Sequence, residues 1–398
     1  MKRVVIQTLR IRAISVIILA AFYGTSSYGL TRVVGPSACR AALPHFSTIQ
    51  GAVNASGPGD VVLVCPGNYP EQVVINTPLT LKGIVDENAG VAVITVPSGG
   101  LVPNGQAPDL DNTPYGGTTA VQLLMQNVPQ IVVSDITIDG TGGSSNAGLA
   151  VGIELYNIGQ SGTATAVGNI NHVVVRNTGS GVGILSDNSY AIIQNNSVYG
   201  NTNAAFVASG RVKVLSNNIA VSGSSSFATY LYVASGLISN NRLTGGNVGM
   251  YLEFTESLTI ASNIVEHTEG AAIYLRESSQ NFIKQNVIAD SNLGIGMVAN
   301  PVDCCAATAN DIGGNRISGV QTGVGWSYAT YNTIHNNVFT TTQTAVSMLD
   351  SIIFNTGGNT VKNNVVNDST CGIAGTGTAN GTVYTPNTFF STSTPLCP

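Results

Sequence analysis

Three tyrosines, a glutamate and an arginine recur at repeat-like intervals. They are Tyr232, Tyr251 and Tyr274, with Glu253 two residues after the second tyrosine and Arg276 two residues after the third. A tyrosine ring is flat and apolar with a polar tip, which suits the face of a sugar. A carboxylate and a guanidinium beside such rings can orient hydroxyl or carboxylate groups, and the carboxylate can also act as a general acid or base. Glu253 and Arg276 are therefore the catalytic candidates. Tyr232, Tyr251 and Tyr274, together with Glu154, Tyr156 and Asp187 further upstream, are the candidates for binding a substrate. Glycoside cleavage wants two carboxyl groups about 5 to 10 Å apart; Glu256 is close to Glu253 in sequence but falls in a turn. An aromatic ladder and a Glu–Arg pair on adjacent strands also stabilise a sheet without any ligand, and that reading stands beside the functional one.

The elements that would position these side chains are visible as a repeat. An Asn recurs at Asn196, Asn218, Asn241, Asn263, Asn286, Asn315, Asn337 and Asn364, mostly 22 or 23 residues apart. Asn217 is an alternative to Asn218, because its neighbours Val214 and Ile219 fit the flanking pattern better. An Ile, Leu or Val precedes nearly every Asn by three residues, and another apolar residue follows by two. A fixed period of this length marks a solenoid. Ile and Val alternate with polar residues in short runs, which is strand spacing, and Gly and Asn fill the joints. The predicted fold is all-β: a right-handed parallel β-helix with 22–23-residue coils, in which stacked Asn side chains bond one another up the helix. Each coil has a further strand after the Asn turn. The inward pairs there read Ile153/Leu155, Ile184/Ser186, Phe206/Ala208, Leu231/Val233, Met250/Leu252 and Ile273/Leu275. Alternation sends the residues between them to solvent. Tyr232, Tyr251 and Tyr274 are thus expected to stack on one face, about 4.8 Å apart per coil.

The pattern resembles the pectate-lyase-like superfamily, in which an Asn ladder marks the turn between two strands. The opening, Thr48-Ile49-Gln50 through Gly59-Asp60 to Pro66-Gly67-Asn68-Tyr69-Pro70-Glu71, resembles pectin methylesterases and the first coil of NosD-type periplasmic accessory proteins. Ser134-Asp135-Ile136-Thr137-Ile138-Asp139-Gly140 is similar to a coil segment of polygalacturonases. The catalytic signatures of the esterases and of the polygalacturonases are missing. What the resemblance implies is polysaccharide binding or processing on the outer face of one sheet, with lyase or epimerase chemistry preferred to hydrolysis. Calcium would be the cofactor of a lyase. The alternative it implies is a non-catalytic periplasmic or cell-surface scaffold of the NosD type.

Composition narrows the setting. Lys2, Arg3, Arg10 and Arg12 precede an apolar run from Ala13 to Phe22, which reads as a signal peptide over residues 1–29. Beyond it stand 20 acidic against 11 basic residues, a net charge of −9. That balance argues against nucleic acid, which wants a basic surface. Residues 30–398 are expected to form one β-helix domain, with a long loop at 97–119, an inserted loop at 300–309 and a C-terminal cap at 371–398. A short helix near Ser47–Ser56 would plug the open end of the coil. Six cysteines in an exported chain suggest disulfides: Cys39 with Cys65 and Cys371 with Cys397, leaving the adjacent Cys304 and Cys305. The expected partner is a polysaccharide or cell-surface glycan, the expected place the periplasm, the cell surface or the medium. No stable membrane span is expected after the signal peptide is removed.

Overall fold

A computed structural model describes residues 29–143, 148–159, 167–298, 307–349, 357–375 and 381–397. The signal-peptide segment and Cys304–Cys305 lie outside them. Each coil contributes three short strands, because short alternating runs are separated by residues that turn sharply. One coil consists of Val248–Glu253, Leu258–Ala261 and Ile264–Glu266, and the next of Ala271–Arg276, Phe282–Lys284 and Val287–Ala289. Like strands pair in parallel from coil to coil: Met250 opposes Ile273, Ile260 opposes Ile283, and Val265 opposes Ile288. Two faces merge at their corner into a sheet of 25 strands, and the third face forms a sheet of 13. The chain is a right-handed parallel β-helix. Its core is a set of columns, one inward side chain per coil. Ile238, Ile260, Ile283, Ile312 and Ile334 form one of them, all essentially inaccessible to solvent. Each such side chain contributes about 1.5 to 3 kcal/mol by burial.

The corner between the second and third faces shows why Asn repeats. The residue before each ladder Asn adopts the left-handed conformation, as at Asn240 (φ 58°), Ser262 (58°) and Gln285 (57°). That bend turns the chain sharply and aims the following side chain inward. There the Asn Nδ2 of one coil donates to Oδ1 of the next, from Asn241 to Asn263 at 2.9 Å and from Asn263 to Asn286 at 3.0 Å. Asn217, not Asn218, occupies the corner in its coil, accepting from Asn196 and donating to Asn241. Asn218 instead begins the next strand and is exposed, since the corner leaves room for only one inward amide. The ladder continues past Asn364 to Asn387. A second ladder at another corner, Asn281–Asn310–Asn332–Asn359, carries side-chain bonds of 2.9 to 3.1 Å. It escaped the sequence pattern because it spans only four coils.

A helix covers the N-terminal end. The helix Ile49–Asn54 lies over the first coil with Ile49, Ala52 and Val53 buried, and Thr48 caps it by accepting from Gly51 N. Glu71 adds a second cap, accepting from Ile49 N at 2.7 Å and Gln50 N at 3.0 Å. Cys39–Cys65 and Cys371–Cys397 are disulfides, one near each end.

Candidate functional site

The first strand of each coil presents two outward rows. One row runs Leu124, Glu154, Leu185, Val207, Tyr230, Tyr251, Tyr274, Gly296, Gly325, Ser347. The other includes Tyr232, Glu253 and Arg276 in successive coils. The tyrosine stack is therefore Tyr230–Tyr251–Tyr274, and Tyr232 does not belong to it. Tyr232 instead stands level with Glu253, edge-on to Phe254 at 5.9 Å. The expected alignment was displaced by two residues in this coil, placing Val233 inward. Val233 is in fact 57% exposed and left-handed, and Thr229 with Leu231 fills the core. A slip of two keeps every side chain on its face, so alternation alone does not detect it.

Half of the first row is covered. Residues 97–119 form an arm laid across the outer face. Gly105–Ala107 pairs antiparallel with the start of the strand Gly117–Gln126, followed by a 3-10 turn at Pro108–Leu110. Ala107, Leu110 and Tyr115 bury themselves against Leu124, Leu185 and Val207, making a second apolar cluster outside the coil. Glu154 and Asp187 point away from the coil as expected, yet both are fully buried beneath this arm rather than solvent-facing. Glu154 accepts a 2.6 Å bond from Thr119 Oγ1. Gly105 approaches so closely that a Cβ there would lie 2.9 Å from Glu154 Oε2. Asp187 accepts from Ser209 Oγ at 2.7 Å and from Asp109 N at 3.4 Å. Burial pushes Glu154 up to about 7, with the Asp187 charge adding to it and the Thr119 bond opposing it. Burial likewise raises Asp187 to about 6, with the Asp109 charge adding and the Ser209 bond opposing. Tyr156 lies at the edge of the arm, beside a separate hollow of about 320 Å³ shared with Gly105 and Gln126.

The other half is open. Tyr230 and Tyr251 stack at 5.1 Å and 11° between planes, and Tyr251 and Tyr274 at 5.5 Å and 22°. Tyr230 is buried, whereas Tyr251 and Tyr274 are half-buried and face a cleft of about 430 Å³ walled by Phe227, Asn247, Asn292 and Leu293. A larger polar hollow of about 750 Å³, lined by Glu269, Asp290 and Gln321, shares Asn292 with it but carries no aromatic ring. Beyond Tyr274 the row shrinks to Gly296, Gly325 and Ser347, and Leu293 leans over both glycines, 2.7 Å from where a Cβ on Gly296 would stand. Beside the rings, Glu253 accepts from Tyr230 Oη and pairs with Arg276 at 3.1 Å. The Tyr251 hydroxyl and the Glu253 carboxylate beside it hold the Arg276 guanidinium firmly cationic against some loss of solvation. Burial raises the hydroxyls of Tyr251 and Tyr274, and the Arg276 charge pulls the other way. Elsewhere, Asp139 of the polygalacturonase-like segment ties down Thr141 and pairs with Arg176 at 2.9 Å on the third face.

A family model described as NosD, periplasmic copper-binding protein, matches residues 134–303 and 169–354, together more than half of the chain. The chain belongs to the NosD family. Its membership and its two disulfides make it an exported protein. No curated protein matches it closely enough to inform its role. Among solved structures it is similar to the A-module of mannuronan C-5 epimerase AlgE6 from Azotobacter vinelandii. The identity is 15%, the TM-score 0.53, and the match covers 88% of this chain and 93% of that one. It is also similar to DFA-IIIase from Arthrobacter chlorophenolicus A6 without its lid, at 14% identity and TM-score 0.54, over 90% of this chain and 98% of that one. At these identities the likeness is one of fold. Copper belongs to the family's description. Copper sites are built from His, Cys and Met with few oxygen ligands. Among the described residues no three His, Cys, Asp or Glu side chains converge to hold a metal ion, and the four described cysteines are spent in disulfides. Among the described residues, no group of His, Cys, Asp or Glu fits the metal. Among the described residues, too, no helix is long and apolar enough to cross a membrane.

Proposed function

We propose that this NosD-family protein binds carbohydrate on the outer face of its first sheet, with Tyr251 and Tyr274 as the platform and Arg276 as the polar contact. The observation that carries this reading is the half-buried ring pair opening onto a cleft with a cation at its side. Stacked rings serving only to stabilise the sheet would gain from being covered, as Tyr230 is. In this reading Glu253 and Arg276 recognise and position the sugar. Glu253 already accepts from Tyr230 and Arg276, and a guanidinium held cationic is a poor proton acceptor. Glu154, Asp187 and Tyr156 then fall outside the contact surface, the first two beneath the arm and the third at its edge. The epimerase whose fold the chain shares acts, by its name, on mannuronan; that fold likeness leaves the weight on the tyrosines.

The test is a binding screen of the full chain against neutral and acidic polysaccharides by affinity electrophoresis, with Tyr251→Ala and Arg276→Ala alongside. Tyr251→Ala is expected to weaken binding about tenfold, the equivalent of roughly 1.4 kcal/mol. Absence of binding, or binding indifferent to both substitutions, would sink the proposal. Incubating polyuronates with and without calcium tests turnover in the same series. New unsaturated ends, or a change in uronate stereochemistry, lost in Arg276→Ala and Glu253→Gln would return those two residues to a catalytic role. The second reading, a non-catalytic accessory scaffold, draws on family membership and predicts neither glycan binding nor turnover.

A further inference from the structure

The chain enters its first coil at Leu30, and one carboxylate organises that entry. Asp60 stands just before the strand Val61–Val64, which pairs in parallel with the first strand, Thr31–Val34. It is only 6% exposed. Its Oδ1 accepts from the main-chain N of Leu30 at 2.6 Å, while Oδ2 accepts from Gly57 N at 2.7 Å and from the Arg32 guanidinium. Burial works against the charge, yet the bonds from Gly57, Leu30 and Arg32 hold the carboxyl below its ordinary range. The Leu30 carbonyl accepts from Val61 N at 2.9 Å, whereas the Leu30 side chain is exposed. Leu30 is therefore held by its backbone, and its nitrogen is the atom that Asp60 grips.

The same nitrogen lies where the signal peptide is expected to end. Ser27 and Gly29 put small residues three and one positions before the Gly29–Leu30 bond, the pattern at which such leaders are cut. We infer that cleavage there completes the first coil: the α-ammonium freed on Leu30 becomes the charged partner of Asp60 Oδ1, in place of a peptide N–H. The exporting peptidase adds water across the bond, the Gly29 carboxylate leaves with the leader, and the Leu30 amine takes up a proton. Each oxygen of a nearly buried carboxylate then faces a cation, the Leu30 ammonium on one and Arg32 on the other. Attraction between opposite charges is added to the hydrogen bond that a peptide N–H already makes. The processed chain is thus more stable than any form that carries residues ahead of Leu30. No residue of the tyrosine strip takes part, so this inference stands apart from the carbohydrate reading.

The test uses the full chain exported with its own leader. Intact mass should show Leu30 as the first residue of the exported protein, and a different first residue would overturn the inference. A second form carries one extra glycine between Gly29 and Leu30, so that cleavage after Gly29 leaves a peptide N–H on Leu30. Glycine is used because a Cβ on the residue before Leu30 would stand 1.8 Å from the Gly59 carbonyl oxygen. In chemical denaturation the unfolding equilibrium constant of this form should be about fivefold larger, the upper end of what an ion pair reaching solvent contributes. Equal stability of the two forms would overturn the inference. With Asp60→Asn in both, the gap should close; a gap that persists would place the effect elsewhere and sink the pairing with Asp60. Should Asp60→Asn fail to fold, the mass and the glycine form decide between them.

Discussion

Two stretches of one outward face, built from the same strands in the same register, end in different environments. From Leu124 to Tyr230 the first row lies beneath the arm; Tyr251, Tyr274, Gly325 and Ser347 meet solvent, with Gly296 buried under Tyr274 and Leu293. In the covered stretch two carboxyl groups are buried with little compensation, and Glu154 Oε1 has no hydrogen-bond partner. In the open stretch the one carboxylate, Glu253, is held by a tyrosine and an arginine. An acid buried without a cation keeps its proton, whereas an acid beside a guanidinium forms an ion pair. The same alternation of side chains thus builds a locked apolar seam in one place and a polar, ring-lined cleft in the other.

Four changes would break or sharpen this contrast. The largest effect is expected from a charge placed in the covered stretch. Leu185→Asp, fully buried under the arm, should cost about 4 kcal/mol in chemical denaturation. Ser347→Asp in the open stretch should stay within about 0.5 kcal/mol. Equal effects would mean that the arm does not cover the row in solution. Next, Tyr115→Ala removes the largest buried side chain of the arm and should cost about 3 kcal/mol, seen as faster amide exchange and proteolysis at residues 103–119 while the coils keep their protection.

The third is a pH effect confined to the covered stretch. Glu154 and Asp187 bind their protons more tightly folded, at about 7 and about 6, than their ordinary values of 4.5 and 3.8. The folded state therefore holds more protons, and stability falls as pH rises. The contribution is complete below about pH 4 and is lost progressively as pH climbs through 6 and 7. Denaturation midpoints between pH 4 and 8 should drop accordingly, and Glu154→Gln with Asp187→Asn should flatten the slope. A midpoint that rises over this interval would contradict the buried, uncompensated arrangement. The smallest effect is expected from Arg276→Lys. It should leave stability within about 0.5 kcal/mol and still weaken any acidic-glycan binding, because an ammonium lacks the planar fork that holds Glu253 and Tyr251 together.

Much of the architecture was legible because a solenoid repeats its constraints locally. Ile238, Ile260 and Ile283 could be placed in a column from spacing alone. So could the Asn corner, although Asn218 was expected there and Asn217, the alternative that Val214 and Ile219 favour, holds it. The capping helix was legible through Ile49, Ala52 and Val53. The candidate face was legible in kind: tyrosines, a glutamate and an arginine do lie on one outward strip. Its membership was not, because Tyr230 and Tyr232 both point outward and only pairing with the neighbouring coils selects Tyr230 for the stack.

By itself the sequence determined the parallel coil, its Asn-lined corner and its N-terminal capping helix. Each of these depends on contacts within a coil or with the next one, which a period of some 22 residues writes directly into the chain. Only the tertiary structure decided which outward residues see solvent. The arm reaches from Asp109 to Asp187 and from Tyr115 to Asn203, across 78 and 88 residues of chain. Contacts of that range leave no period to read, since they arise once and join a loop to whichever coils happen to lie beneath it.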